Sequence, residues 1–250
     1  AGSQGVAKTI FRCWSVFLLL AVVGLAHGAE RVLKVGVIHH SPPMSYVDAS
    51  GGLTGFNVEV MRELCKELAA RCETVVLTLD RVVDAVAAGE VDFAAVSLLV
   101  TPERRARLLL TKPYYRSISV WFARPGVKPG EARVAVVKGG IQARYAQARG
   151  WAQLPFDNHE AIFGALATGQ AQATLLPMAN AVALQQDPRM SAQGLASTVV
   201  QDPELAGDAA LGVNPRDRAL LDKLNDAIDE IKRDGRFDRI NTRFIPFRLQ

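Results

Sequence analysis

The stretch Val91-Asp92-Phe93-Ala94-Ala95-Val96-Ser97-Leu98-Leu99-Val100, followed at once by Thr101-Pro102-Glu103-Arg104, decides how this chain is read. Val91 to Val100 is an almost unbroken apolar run of strand length, the pattern of a parallel strand covered on both faces. Thr101-Pro102-Glu103 is a strong helix start, with Thr as N-cap, Pro at the first helical position and an acid in the first turn. Arg104 then falls near the third helical position. A cation there opposes the helix dipole, at a cost of about a few tenths of a kcal/mol, unless something negative faces it. Glu103 is one partner for it and a bound anion is the other. Ligands of open α/β sheets bind off the carboxyl ends of the strands, and a guanidinium grips a carboxylate through two parallel hydrogen bonds.

The flanking sequence repeats this strand-to-helix plan. Leu33 to Ile38 reads as a strand that stops at Ser41-Pro42-Pro43, and Tyr46 to Leu53 as a hairpin tip rich in Asp, Ser and Gly. Asn57 reads as an N-cap for a helix carrying Val60, Met61, Leu64 and Leu68. Thr74 to Leu77 is a strand, and Val82, Val83 and Val86 lie on a short helix ended by Gly89. A second unit follows: a strand at Arg133 to Val137, a helix from Ile141 to Ala148, and a strand at Leu154 to Phe156. Asn158 caps a helix stopped at Gly169, Ala173 to Leu176 is a strand broken by Pro177, and a closing helix runs to Asp234. The alternation gives an α/β fold, and the similar plan of the two units predicts two lobes, with Tyr114 to Phe122 as one crossing between them.

In the second unit Lys138-Gly139-Gly140-Ile141-Gln142 is another place where unpaired backbone N–H groups at a helix start can meet an anion; paired glycines also simply make turns. His39-His40 carries no metal reading, because adjacent residues on an extended segment point to opposite faces and no acid or Cys stands at ligand spacing. His159 and His27 add nothing. The sequence has no phosphate-binding loop, nucleotide fingerprint, nucleophile elbow or zinc-protease helix, so no cofactor is expected.

Composition is that of a globular chain: 250 residues, 49% hydrophobic and 22% charged, with 29 Lys+Arg against 25 Asp+Glu. The resulting +4 is too small and scattered to argue for nucleic acid. Lys8 and Arg12 precede an apolar run from Cys13 to Ala26, which ends in the small-x-small sequence Ala26-His27-Gly28. This reads as a secretory signal over 1–28; the alternative, a retained anchor, is disfavoured because the run falls short of the ~20 residues a spanning helix needs. Export to an oxidising compartment leaves Cys65 and Cys72, an even pair that favours a disulfide over two thiols. On one continuous helix they would stand about 10 Å apart, so the helix should end near Ala70 and let Cys72 fold back.

The chain resembles the extracellular solute-binding proteins of the polar-amino-acid family, family 3, and in layout the lysine/arginine/ornithine- and histidine-binding receptors of ABC importers. The residues that carry the resemblance are Leu33 to Val37, Pro42-Pro43, Gly52 to Val60, Ala88 to Phe93, Thr101 to Arg104, Lys112 to Tyr115 and, near the C-terminus, Ile231 to Ile240. It implies a type II periplasmic binding protein: two α/β lobes with mixed sheets flanked by helices, hinged at two crossings. Lobe one would be 29–116 plus 208–250, and lobe two 117–207. It implies that Arg104 grips a ligand carboxylate, helped by Ser97, that Gly140, Ile141 and Gln142 at the second-lobe helix start meet the same group, and that Leu79 is an apolar wall. The Cys65–Cys72 spacing is similar to a disulfide of the histidine-type receptors.

Four positions depart from the family pattern. Ile38 stands for an acid, Ser41 for a stacking ring, Leu99 for a hydroxyl residue, and Pro177 for the acid that pairs with an α-ammonium. The expectation is therefore a carboxylate grip without an ammonium grip, and a small carboxylate with an apolar body, or an amino acid bound unusually. Three roles follow from the resemblance. The first is a monomeric periplasmic receptor handing its solute to the membrane subunits of an ABC importer. The second is a sensory or accessory binding protein for a membrane partner. The third is an enzyme resembling cyclohexadienyl dehydratase, which needs a general acid in the cleft; positions 38, 41, 99 and 177 offer none, leaving only His39 or His40.

Overall fold

In the computed structural model, which describes residues 31–249, the Val91–Val100 run forms the strand Phe93–Leu99, with side chains buried on both faces. It pairs in parallel with Arg31–Val37 but antiparallel with Gly207–Val213, so only one of its two neighbours is parallel. The unbroken apolar run is explained by the helices on both faces of the sheet. The six-stranded sheet runs Ala70–Val76, Arg31–Val37, Phe93–Leu99, Gly207–Val213 and Leu109–Leu110, with Tyr115–Ser117 also on Gly207–Val213. The helices Phe56–Glu67, Arg218–Arg233 and Arg236–Phe244 cover one face through a core that includes Phe56, Phe93, Leu224 and Phe237. Leu79–Ala88 covers the other through Val82, Val86 and Leu98.

The second lobe repeats the plan. Its five-stranded sheet runs Gln153–Phe156, Val134–Val137, Ala173–Pro177, Ser119–Ala123 and Ala196–Val200. Three parallel strands again meet an antiparallel one, here Ser119–Ala123 against Ala173–Pro177. Ile141–Ala148 lies on one face; His159–Ala167 and Met178–Gln186 lie on the other. The chain crosses between lobes at 117–119 and 200–207. Leu79 and Leu99 of the first lobe pack into the cores of the second, so the lobes are shut against each other.

Several local expectations are corrected. Asn57 does not cap its helix: Phe56–Glu67 starts after Gly55, whose φ of 121° brings its backbone so close to Met44 that a Cβ would lie 2.6 Å from the Met44 carbonyl oxygen. Asn57 is buried and its amide oxygen accepts from Ser97 and Tyr114. The strand expected from Thr74 runs from Ala70 instead, because it pairs with Arg31–Val37 residue by residue from its first position. Pro177 ends its strand as the last rung, opposite Ser119, rather than interrupting it. The sequence pattern marks no strand at Ala196–Val200, a mostly exposed edge, or at Gly207–Val213, where two glycines dilute the apolar signal.

The helix bearing Cys65 stops at Glu67, Ala69 turns left-handed at φ 46°, and Cys72 comes back to form the disulfide with a Cα–Cα distance of 6.3 Å. Residues 1–28, read as a signal, lie outside the described residues.

Candidate functional site

Between the lobes lies a cavity of about 70 Å³. Its walls are strand ends and helix starts, which is where the fold leaves backbone groups and polar side chains unspent. All ten residues singled out from sequence meet around it: Ile38, Ser41, Leu79, Ser97, Leu99 and Arg104 from the first lobe, and Gly140, Ile141, Gln142 and Pro177 from the second. Met44, Asn57, Tyr115, Ser117, His159 and Asn180 also line it.

Arg104 is placed by the local rule read from the sequence. Thr101 Oγ1 accepts the Arg104 backbone N–H at 3.2 Å and starts the helix Pro102–Arg107. The guanidinium, 7% exposed, folds back into the cavity. Nη1 donates to the Leu99 carbonyl at 2.9 Å, and Nη2 reaches the Gly139 carbonyl of the other lobe at 3.4 Å. Burial alone pushes its pKa down to about 10, still far above neutral pH, so the group is charged. Glu103 is not its partner: that carboxylate pairs with Arg144 across the lobe interface. No carboxylate lines the cavity among the described residues. Two neutral carbonyls thus hold one buried cation whose remaining N–H groups have no acidic partner, a costly arrangement unless an anion completes it.

The other polar side chains are largely committed to one another. The Ser97 hydroxyl donates to Asn57 Oδ1 at 3.0 Å and also meets the Tyr114 hydroxyl, so it serves its own lobe. Gln142 donates to Ser119 at 3.1 Å, beside the start of the helix Ile141–Ala148, whose cap Gly140 carries no side chain. Asn180 donates to Ser41 Oγ at 3.2 Å and to the Pro42 carbonyl at 2.8 Å. Ser41 Oγ is in turn 2.7 Å from His159 Nδ1. His159 is buried, and desolvation lowers its pKa to about 4, so its ring is neutral at pH 7. This chain of three side chains joins the lobes; the exposed pair His40–Glu160, at 2.8 Å, and the Glu160 N–H on the His40 carbonyl, at 3.0 Å, lie beside it. On the outer side of Ser41 and His159 is a more open pocket of about 250 Å³, lined also by His39, His40 and Asp157.

The glycine pair acts differently from the expectation. Gly139 has φ 78° and its Cα lies against the helix start of the opposite lobe: a Cβ there would sit 2.4 Å from Asp80 Cα. It is a contact point for closure, while Gly140 caps the helix that faces the cavity. His159, dismissed from sequence, was detectable by position, since Asn158 caps its helix and sets it in a first turn that follows a strand, the place Ile141 holds after Gly140. Asn180 stands likewise in the first turn after Pro177.

A two-lobed α/β molecule shut around a cavity at paired strand ends is the periplasmic-binding-protein fold. The family model for bacterial extracellular solute-binding proteins, family 3, matches residues 33–247, and the chain belongs to that family. Among curated relatives, the ABC transporter arginine-binding protein 1 of Escherichia coli (strain K12) is 26% identical over 237 residues, covering 91% of this chain and 96% of that protein. The lysine/arginine/ornithine-binding periplasmic protein of the same strain is 24% identical, covering 94% and 98%. A solved Salmonella typhimurium periplasmic binding protein, described for its high arginine specificity, superposes with a TM-score of 0.78 at 22% identity, covering 86% of this chain and 99% of that one.

Proposed function

We propose that this protein is a periplasmic receptor that captures a small carboxylate-bearing solute, an amino acid or a related organic acid, in the inter-lobe cavity and delivers it to the membrane subunits of an ABC importer. The observation that carries this reading is the Arg104 guanidinium, buried with no carboxylate beside it and turned into a closed space between two lobes. Arg104 grips the solute carboxylate. Leu99, through its carbonyl, holds the guanidinium in place, and Gly140, Ile141 and Gln142 present the second-lobe helix start to the same anion. Ile38, Ser41, Leu79 and Pro177 form the remaining wall, with Ser97 behind it.

The relatives support the importer role, since the curated ones are arginine- and lysine/arginine/ornithine-binding proteins, one of them of an ABC transporter. In this reading residues 1–28 are a cleaved signal, residues 29–116 with 208–250 and residues 117–207 are the moving lobes, and the mature protein works as a monomer. Binding needs no chemistry, only a tighter grip on the closed form than on the open one. A dehydratase role is disfavoured because, among the described residues, the cavity wall offers no carboxyl as general acid and its one imidazole, His159, is neutral at pH 7 and engaged by Ser41.

The test is mass spectrometry of small molecules released by denaturing freshly purified protein. A stoichiometric acid, absent from the Arg104→Met variant, is expected. Protein that carries no acid, and that none of a panel of carboxylates stabilises against heat, overturns the proposal.

A further inference from the structure

The wall of the cavity narrows the solute further, given the reading of this cavity as the solute site. Among the described residues, Arg104 is the one side chain lining it that is charged at neutral pH. His159, the other basic group there, is desolvated and neutral. A single buried cation with no acid calls for one negative charge and leaves nothing to balance a second ion of either sign.

An ammonium group in this space would find only neutral acceptors. The Leu99 carbonyl already takes Arg104, Ser41 Oγ already takes Asn180, and Asn57 Oδ1 already takes Ser97 and Tyr114. What is left are neutral groups, the amide oxygens of Gln142 and Asn180 and the hydroxyls of Tyr115 and Ser117, which cannot neutralise a charge taken out of water. Arginine and lysine, named for the relatives, carry a second cation beyond the α-ammonium.

We infer that this cavity is matched to a small monocarboxylate that carries no ammonium group, held by Arg104 against an otherwise uncharged wall. A 2-hydroxy, 2-oxo or unsubstituted short-chain acid fits that class; an amino acid or a dicarboxylate does not.

Isothermal titration of the purified protein with lactate, pyruvate, propionate, malonate, alanine and arginine separates the possibilities, because lactate and alanine differ in little but hydroxyl against ammonium. Binding of at least one of the three monocarboxylates is expected, with alanine about 100-fold weaker than lactate and malonate weaker than propionate. Arg104→Met should remove the binding while retaining the native circular dichroism spectrum. Alanine or arginine bound as tightly as the monocarboxylates, and lost in Arg104→Met, overturns this inference and leaves the carboxylate receptor standing. Binding of none of the six overturns this inference alone; binding indifferent to Arg104→Met overturns both.

Discussion

The two lobes bring equivalent places to the cavity and use them for different work. In each, a strand lying between a parallel and an antiparallel neighbour ends at the cavity and turns into a helix: at Leu99 in the first lobe, at Pro177 in the second. In the first, Thr101 caps the helix and Arg104 is aimed inward with its charge uncompensated by any acid. In the second, no side chain caps the helix, and Asn180, buried, spends its amide on Ser41 and Pro42 of the opposite lobe. In the proposed function one strand end grips the solute's carboxylate, while its counterpart holds the other lobe. On that reading solute affinity and closure are carried by different residues and should separate under mutation.

The sharpest break in that division is Arg104→Met. It removes a charge-assisted, two-bond grip worth about 3 kcal/mol or more, so affinity for the bound acid should fall about 100-fold or more. The solute-free protein should lose no thermal stability, since a buried cation without an acid is replaced by an apolar chain of similar length. A large drop in the solute-free midpoint would make Arg104 a structural residue and erase the comparison. Gly139→Ala attacks closure instead. Its Cβ would collide with Asp80, and its φ of 78° is costly for alanine. Affinity should fall about 10- to 100-fold, and small-angle scattering should show the solute-loaded protein still open. Gly140→Ala, at φ −74° and with its nearest contacts at 3.1 Å, should do much less. Asn180→Ala, which deletes two hydrogen bonds between the lobes, should cost about tenfold in affinity through the same closed state. An equal loss in the isolated open form, trapped at low solute, would place Asn180 in the grip rather than the latch.

What the sequence disclosed and what it hid follow the same division. Arg104 was legible because every signal that aims it is local: an apolar strand, a Thr cap, a Pro at the first helical position. The disulfide was legible from two cysteines and the length of a helix turn. Ser41, His159 and Asn180 are 118 and 139 residues apart in the pairs that bind, and their contact exists only once two independently folded sheets have docked. No local periodicity encodes that. Gly139 shows the intermediate case. A backbone conformation that favours glycine is readable in a Gly-Gly turn, but whether the open side of that glycine receives an anion or the opposite lobe is decided by docking. Asn57 shows the converse, a residue type that favours helix caps but is drawn inward by two hydroxyls, those of Ser97 and the buried Tyr114.

The remaining test lies in pH, and it asks whether the latch is as dry as its geometry. His159 has a folded-state pKa lowered to about 4 against about 6.5 unfolded, with burial as the cause. The unfolded chain therefore binds the extra proton first. Stability contributed by keeping this ring neutral is fully present above about pH 6.5 and is lost progressively as pH falls towards 4, by about 3 kcal/mol at most. His39, also lowered by burial and by His40, titrates in the same direction, so the total acid sensitivity is not assigned to one ring. The difference between wild type and His159→Gln isolates it: the variant's thermal midpoint should fall less steeply between pH 6.5 and 4. A charged ring is also costly to bury between Ser41 and the second lobe, so solute affinity in wild type should weaken over the same window, while the Arg104 charge stays constant throughout. If affinity holds to pH 4 while the melting temperature drops, His159 supports the second lobe alone and the bridge through Ser41 to Asn180 contributes nothing to closure.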